Sequence, residues 1–155
     1  MTVTPRGFGD PEWLGPAVNS AGNEFAPMLS PDGMTLLFSS DRPGGRGRQD
    51  LYLARRHGSG FDAAAPVPGD LNSAADEFDA TFLADNRTII FARAPDLMAD
   101  RVDLYHAAPS HGRYGAGTKL SPAVNGDKDS YGPMLDWSRP GRLTFSAQRG
   151  GARSM

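Results

Sequence analysis

The stretch NSAGNEF at residues 19–25 decides the fold, because the chain repeats its pattern as NSAADEF at residues 72–78, 53 positions later. The same shift relates DLY at 50–52 to DLY at 103–105 without a gap, and a third copy begins at Asn125. Regular spacing of this length is typical of a repeat architecture. We therefore predict a single repeat domain over residues 1–155, with units at about 13–65, 66–118 and 119–155.

Within each unit, the sequence predicts short strands joined by tight turns. The Asp-Gly pair of SPDG at residues 30–33 favours the positive φ of a hairpin turn, so Asp32 and its counterpart Asp85 are predicted as turn residues. Compact apolar runs flank these turns. We predict an all-β fold with strands near 25–29, 34–40, 50–56, 78–83, 87–93, 102–107, 131–136 and 142–147. Weaker, proline-bearing edge strands are predicted near 61–67 and 114–120.

The composition agrees with β structure and excludes several classes of function. Nineteen glycines and 13 prolines favour frequent turns over long helices. With 16 Lys and Arg against 18 Asp and Glu, the chain lacks the basic field that nucleic-acid binding requires, so no nucleic-acid partner is predicted. The absence of cysteine excludes disulfides and thiolate metal sites. Apolar runs stay far below the roughly 18 residues of a membrane span, so none is predicted.

The chain resembles the WD40-like β-propeller repeat of TolB-type proteins, which also accompanies OmpA-like domains in envelope proteins. The resemblance covers roughly residues 13–155 and is carried by LGPAVN at 14–19, EFAP at 24–27, SPDGMTLLFSSDR at 30–42 and DLY at 50–52. In the later copies, LADN at 83–86 and DWSRPG at 136–141 replace the SPDG turn. The resemblance implies about three four-stranded antiparallel propeller blades, the last one incomplete, and hence a partial or half propeller.

The same resemblance implies a non-catalytic module that binds a protein or peptide in the periplasm or cell envelope. Residues 1–16 lack the apolar segment of a secretory signal, so a cytoplasmic location stays open. The alternative is a fragment or relative of a propeller enzyme, a polysaccharide lyase or hydrolase with a divalent-cation site. Because no nucleophile and base form a recognisable pair, we assign no catalytic residue and expect no intrinsic turnover.

Polar residues that recur in register are assigned structural roles. The asparagines that begin each copy are predicted to cap turns by bonding their own local backbone. The aspartates that open the third strands are predicted to hydrogen-bond between strands or between blades. Together with the turn aspartates, this set comprises Asn19, Asn72, Asn125, Asp32, Asp85, Asp50 and Asp103.

Acidic residues at the start of each copy form the candidate binding site. If equivalent segments converge on one face, these carboxylates meet there and bind a cation such as calcium or a basic partner. The alternative is a solvated acidic rim. Two arginines that follow the second strands are predicted to tie loops to neighbouring carboxylates. The candidate binding residues are Glu24, Asp76, Glu77, Asp127, Asp129, Arg42 and Arg149.

The third copy is shorter than the others. The DLY tyrosine follows the second-strand phenylalanine by 14 residues in the first two copies, and the same spacing from Phe145 passes Met155. Three units are also fewer than the roughly four to eight that close a propeller. Three hypotheses stay open: residues 2–9 supply a strand to another blade, two chains form a six-bladed homodimer, or the chain is a piece of a longer propeller.

Overall fold

The computed structural model describes residues 3–5 and 7–148, and these residues contain strands and turns but no helix. The predicted all-β fold is therefore confirmed for the described chain. The strands are β1 (Val3–Thr4), β2 (Gly7–Phe8), β3 (Glu24–Leu29), β4 (Thr35–Ser40), β5 (Asp50–His57), β6 (Gly60–Phe61), β7 (Ala65–Pro66), β8 (Asp76–Phe82), β9 (Ile89–Ala94), β10 (Asp103–Ala107), β11 (Pro109–Ser110), β12 (Arg113–Tyr114), β13 (Thr118–Lys119), β14 (Ser130–Leu135) and β15 (Leu143–Ala147).

Three antiparallel sheets follow one another along the chain. The first sheet has the order β3-β4-β5-β6, with β7 also paired to β5. The second sheet has the order β13-β10-β9-β8, and the third consists of β14 and β15. The eight longer strands overlap the eight predicted ones, and the short strands β7 and β13 lie within the two ranges predicted for weaker edge strands.

The turn between the first two strands of each sheet shows why the copies align. Ser30 N–H donates to the Thr35 carbonyl in the first copy, and Leu83 N–H donates to the Thr88 carbonyl in the second. In the third copy the corresponding bond joins Asp136 to Arg142, which adds one residue to the turn. The extra residue lies inside the turn of the third copy, between the two ends of this hydrogen bond. The strands on either side of it therefore keep the same pairing as in the other copies.

The first strands of the three sheets lie next to one another, with β8 in contact with both β3 and β14. Each of these strands carries an irregularity in its pairing, between Phe25 and Met28, between Phe78 and Thr81, and between Tyr131 and Met134. At each irregularity one residue adopts a positive φ, at Ala26 (49°), Asp79 (44°) and Gly132 (59°). β-Bulges of this kind re-aim side chains and commonly border functional sites.

Apolar side chains are buried between successive sheets. One cluster joins Leu37 and Leu51 of the first sheet to Phe82 and Phe91 of the second. A further cluster around Leu104 includes Phe25 of β3 and Phe145 of β15 at its margin. The second sheet therefore contributes both of its faces to burial, Ile89 and Phe91 on one side and Ala92 and Leu104 on the other. Burial between neighbours is how repeat units that cannot bury a core alone become stable.

The N-terminal strands β1 and β2 pair with each other as a separate two-stranded sheet. Pro5 lies in the turn between them, where its fixed φ favours reversal of the chain. In the described residues, this segment therefore does not extend one of the larger sheets, which corrects the hypothesis that residues 2–9 supply a strand to another blade.

Candidate functional site

The repeated asparagines join one sheet to the next. Asn72 Nδ2 donates to the Leu51 carbonyl at 2.9 Å, and Asn72 Oδ1 accepts from the Leu51 N–H at 2.9 Å. Asn125 binds Leu104 in the same way, at 2.8 and 2.6 Å. These partners lie 21 residues away in the preceding unit, so the local turn cap predicted from the sequence does not describe the main contact. We call this pair of bonds the asparagine clasp.

Carboxylates at the start of the first strands strengthen the same joints. Asp76 Oδ1 accepts from the Gln49 N–H at 3.1 Å, and Asp129 Oδ1 accepts from the Val102 N–H at 3.0 Å. Asp76 also receives the Leu97 N–H and the guanidinium of Arg48. These predicted binding residues are thus held by backbone groups of the preceding unit.

Glu24 and Arg42 form a buried assembly beside two aromatic rings. Arg42 lies 3.1 Å from the Glu24 carboxylate, and its guanidinium is stacked over Phe38 and Tyr52 at 5.2 and 4.5 Å from the ring centroids. It also donates to the Val18 carbonyl. Arg42 therefore ties its loop to a carboxylate, which is the kind of contact predicted for it.

The second unit builds the same assembly with an arginine that the sequence analysis missed. Arg93 lies 2.7 Å from Glu77, stacks over Phe91 and Tyr105, and donates to the Leu71 carbonyl. In the repeat alignment, position 93 corresponds to Ser40, two residues before Arg42. Arg93 lies within β9 and Arg42 two residues beyond the end of β4, yet the two guanidinium groups stack over equivalent pairs of rings.

The two glutamates of these assemblies differ in their electrostatics. Burial acts to raise the pKa of Glu24, but hydrogen bonds from Ser20 and Ser40, with the Arg42 charge, lower it on balance. Burial raises the pKa of Glu77, whose side chain is fully buried, and the bonds from Ser73 and Arg93 only partly offset this effect. Both residues are therefore engaged inside the fold and are poorly placed to receive a ligand.

Other predicted residues also have local partners. Asp32 accepts from the Met34 N–H, and Asp85 accepts from the Thr88 N–H, each within its turn. Asp50 accepts from the N–H groups of a glycine-rich loop at residues 46 and 47, and burial raises its pKa. Asp103 pairs with Arg101, in the loop before β10, at 3.0 Å and with Lys119 of β13 at 2.6 Å.

Two predicted binding residues remain. Asp127 is exposed in the loop before β14. Arg149 lies outside the described residues. Among the residues that the structure describes, no three His, Asp or Glu side chains are grouped closely enough to hold a metal ion.

A cleft that the sequence analysis did not identify lies where the three first strands meet. Its volume is about 220 Å³. We call it the Asp79 cleft, after the only titratable side chain among the described residues that line it. The lining residues come from the bulges of β3, β8 and β14, namely Ala26, Pro27, Met28, Asp79, Ala80, Gly132, Pro133 and Met134.

The Asp79 carboxylate has little compensation for its burial. Loss of water around the group raises its pKa, and one hydrogen bond from the Gly132 N–H acts in the opposite direction. No Lys, Arg or His of the described chain forms an ion pair with it, in contrast to Glu24 and Glu77. A partly buried, unpaired carboxylate in a cleft is typical of a functional group rather than a structural one.

Position 79 also breaks the symmetry of the repeat. Its counterparts are Ala26 and Gly132, which carry no functional group, although all three residues share the same left-handed backbone conformation. The sequence therefore did indicate this site, through one acidic residue at a repeat position where the other two copies have alanine and glycine. An Asp in this conformation is tolerated better than most other residues with a side chain, so the bulge can present a carboxylate at modest cost.

The chain matches no family model and no curated protein. The functional assignment therefore depends on the contacts described above. Within the described residues, no helix has the length and apolar character that a membrane crossing requires.

Proposed function

We propose that the chain is a non-catalytic binding module of WD40-like, TolB-type propeller blades, acting in the periplasm or cell envelope. Its ligand is a protein or peptide that inserts a basic side chain into the Asp79 cleft. One observation carries this proposal: Asp79 is a partly buried carboxylate with no cationic partner among the described residues, at the point where three equivalent strands converge.

The lining of the cleft supports a lysine or arginine as the inserted group. A cation beside Asp79 would compensate the cost of desolvating the carboxylate, since an opposite charge favours the ionised form. Met28 and Met134 line the cleft, and Met134 is half exposed. Flexible thioether side chains adapt to irregular ligands and pack against the aliphatic stem of a long basic residue.

Binding of peptide pools tests the proposal. Fluorescently labelled octapeptide pools with random flanks carry either lysine or its neutral counterpart norleucine at the centre, and anisotropy reports their affinity. We expect the lysine pool to bind and Asp79→Asn to weaken it by about tenfold or more, the scale of a lost charge-assisted bond. Asp127→Asn is the matched control, because it removes an exposed carboxylate elsewhere on the chain.

The outcome that contradicts the proposal is specific. Equal affinity for the lysine and norleucine pools, or an affinity unchanged by Asp79→Asn, would show that the carboxylate does not bind the ligand. The asparagine side chain keeps the size of the original and can accept the Gly132 N–H, so the variant retains the fold on which the comparison depends.

The raised pKa of Asp79 is the observation that favours the alternative, a polysaccharide lyase or hydrolase. A carboxyl group with a raised pKa is suited to act as a general acid. Glycosidases, however, generally need two carboxyl groups roughly 5 to 10 Å apart, and the described lining of the cleft supplies one. We expect no turnover of polygalacturonate; a rate abolished by Asp79→Asn and kept by Asp127→Asn would establish the enzyme instead.

A further inference from the structure

Each of the two contacts between successive sheets, which we call joints, contains the same set of interactions. In each, an asparagine clasp holds the leucine of a DLY strand, which is Leu51 in the first joint and Leu104 in the second. At the first joint, Val67 and Phe82 pack in one buried cluster with Leu37 and Leu51 of the preceding sheet. Polar and apolar contacts thus act together.

Within residues 3–5 and 7–148, the first unit presents the same elements without a partner. Asn19 is the counterpart of the two clasp asparagines, and its Oδ1 is shielded from water with no hydrogen-bond partner in that part of the chain. Leu14, the counterpart of Val67, is 45% exposed where Val67 is 3% exposed. Leu29 is 37% exposed, whereas its counterpart Phe82 is 3% exposed. These three residues together form an open joint.

We propose that the open joint binds an extended strand of the pattern Asp-Leu-Tyr from another polypeptide. The N–H and C=O of the strand's leucine would form the clasp with Asn19, as Leu51 does with Asn72. The leucine side chain would pack on the same face as Leu14 and Leu29. Strand addition of this kind takes its affinity from main-chain bonds and its specificity from alternate side chains.

Trp13 adds a contact that the complete joints lack. The tyrosine of each DLY strand is paired with a residue of the next segment, Tyr52 with Pro66 and Tyr105 with Lys119. The counterpart of Pro66 and Lys119 at the open joint is Trp13, which is 75% exposed. An incoming tyrosine would lie opposite this tryptophan, and aromatic cross-strand pairs stabilise antiparallel strands.

A free strand from another polypeptide fits the open joint better than a strand from a second copy of this chain. The two DLY strands of the chain, β5 and β10, each already have paired strands on both sides. Either one could reach the open joint of a second copy only by leaving its own sheet. A free strand with the same pattern meets no such cost.

A synthetic peptide of residues 48–57, which contains all of β5, provides the probe. In a Trp137→Phe background, Trp13 is the only tryptophan, so its emission reports docking. We expect saturable binding with a shift of the emission to shorter wavelength. Leu14→Asp should abolish it, and Asn19→Ala should weaken it about tenfold, as expected for two lost hydrogen bonds. Methylation of the peptide's backbone nitrogen at the position of Leu51, the leucine that the clasp holds, should weaken binding similarly.

Met98→Asp is the matched control, because Met98 is the most exposed methionine among the residues that the structure describes and belongs to a different loop. It should leave binding unchanged. Absence of saturable binding at millimolar peptide, or binding that survives Leu14→Asp, would overturn the proposal. Sedimentation equilibrium distinguishes the other occupant: a dimer that Leu14→Asp converts to a monomer would show that a second copy covers the joint.

Discussion

Asp79 combines an unfavourable environment with an unfavourable backbone conformation, and each can be tested by one substitution. Its φ of 44° lies in the left-handed region, and burial raises its pKa. Natural proteins keep such costs mainly where they serve a function. Burial also raises the pKa of Asp50 and Glu77, but each of those carboxylates accepts two or more hydrogen bonds. Asp79 differs from them in its single hydrogen bond, from Gly132, and in its left-handed backbone conformation.

Replacing Asp79 by asparagine should stabilise the fold at neutral pH. Because the pKa is raised in the folded state, the stability that the carboxyl contributes is lost as pH rises through that pKa. Asp79→Asn should therefore raise the free energy of unfolding by about 1 kcal/mol above the ordinary carboxyl range near pH 4, and have little effect below it. Urea unfolding at pH 3 and pH 7 measures the difference. Asp127→Asn, the exposed control, should show none.

Backbone strain at the bulges predicts a reciprocal pair of effects. Ala26 and Gly132 have nearly the same φ, but only glycine adopts it without cost. A Cβ added at Gly132 would meet no atom nearer than Ser146 Oγ at 4.0 Å, so strain alone determines the result. Ala26→Gly should stabilise the chain by about 1 kcal/mol and Gly132→Ala should destabilise it by a similar amount. Thermal unfolding that moves both variants in one direction would contradict this explanation.

The unusual residue at position 79 could be recognised from the sequence, but its environment could not. The alignment at a spacing of 53 places Ala26, Asp79 and Gly132 in one column, so the odd acidic residue was visible. Its desolvation was not, because that depends on three first strands meeting in space. Arg93 was missed for a different reason: a strict alignment compares it with Ser40, whereas in the structure it pairs with Glu77 as Arg42 pairs with Glu24.

Among the elements, strands were predicted better than the contacts between them. The hairpin around Ser30 and Thr35 follows from local turn chemistry, and its strands appear where the apolar runs indicated. The asparagine clasp joins residues 21 positions apart in sequence, and no local rule specifies such a partner. An asparagine side chain can cap a turn or bind a strand equally well, and packing of the sheets decides between them.

Two equivalent asparagines should therefore respond differently to the same substitution. Asn72→Ala leaves the N–H and C=O of Leu51 without their side-chain partner in a buried joint, so it should lower the free energy of unfolding by about 2 kcal/mol. Asn19→Ala removes a shielded oxygen that has no hydrogen-bond partner in the described part of the chain, so it should change stability by less than about 0.5 kcal/mol. Equal losses in chemical denaturation would mean that the clasp contributes nothing to stability.

In the whole molecule, stability should be greatest in the middle sheet. β9 is almost fully buried and is paired on both sides, whereas β15 is partly exposed and, among the described residues, is paired only with β14. Amide hydrogen exchange should therefore be on the order of 100-fold faster in β15 than in β9. Similar protection in both strands would contradict this ordering.

The six-bladed homodimer, one of the hypotheses from the unit count, would leave its own signature in the same experiment. In such a ring the third unit of each copy lies against the first unit of the other, so the amides of β15 would be protected more strongly as protein concentration rises. Leu14→Asp places a charge in the first unit at that contact and should abolish the concentration-dependent protection. Exchange of β15 that does not depend on concentration would contradict the dimer.

The central claim is that the ligand supplies the cation that the described residues do not provide beside the Asp79 carboxylate. Carboxyl ¹³C NMR measures this directly, by following the titration of Asp79 alone and with the lysine peptide pool. The account predicts a pKa above the ordinary value of about 3.9 in the free protein, and a lower pKa once the ammonium group is bound. An ordinary pKa in the free protein that stays unchanged with the peptides would contradict it.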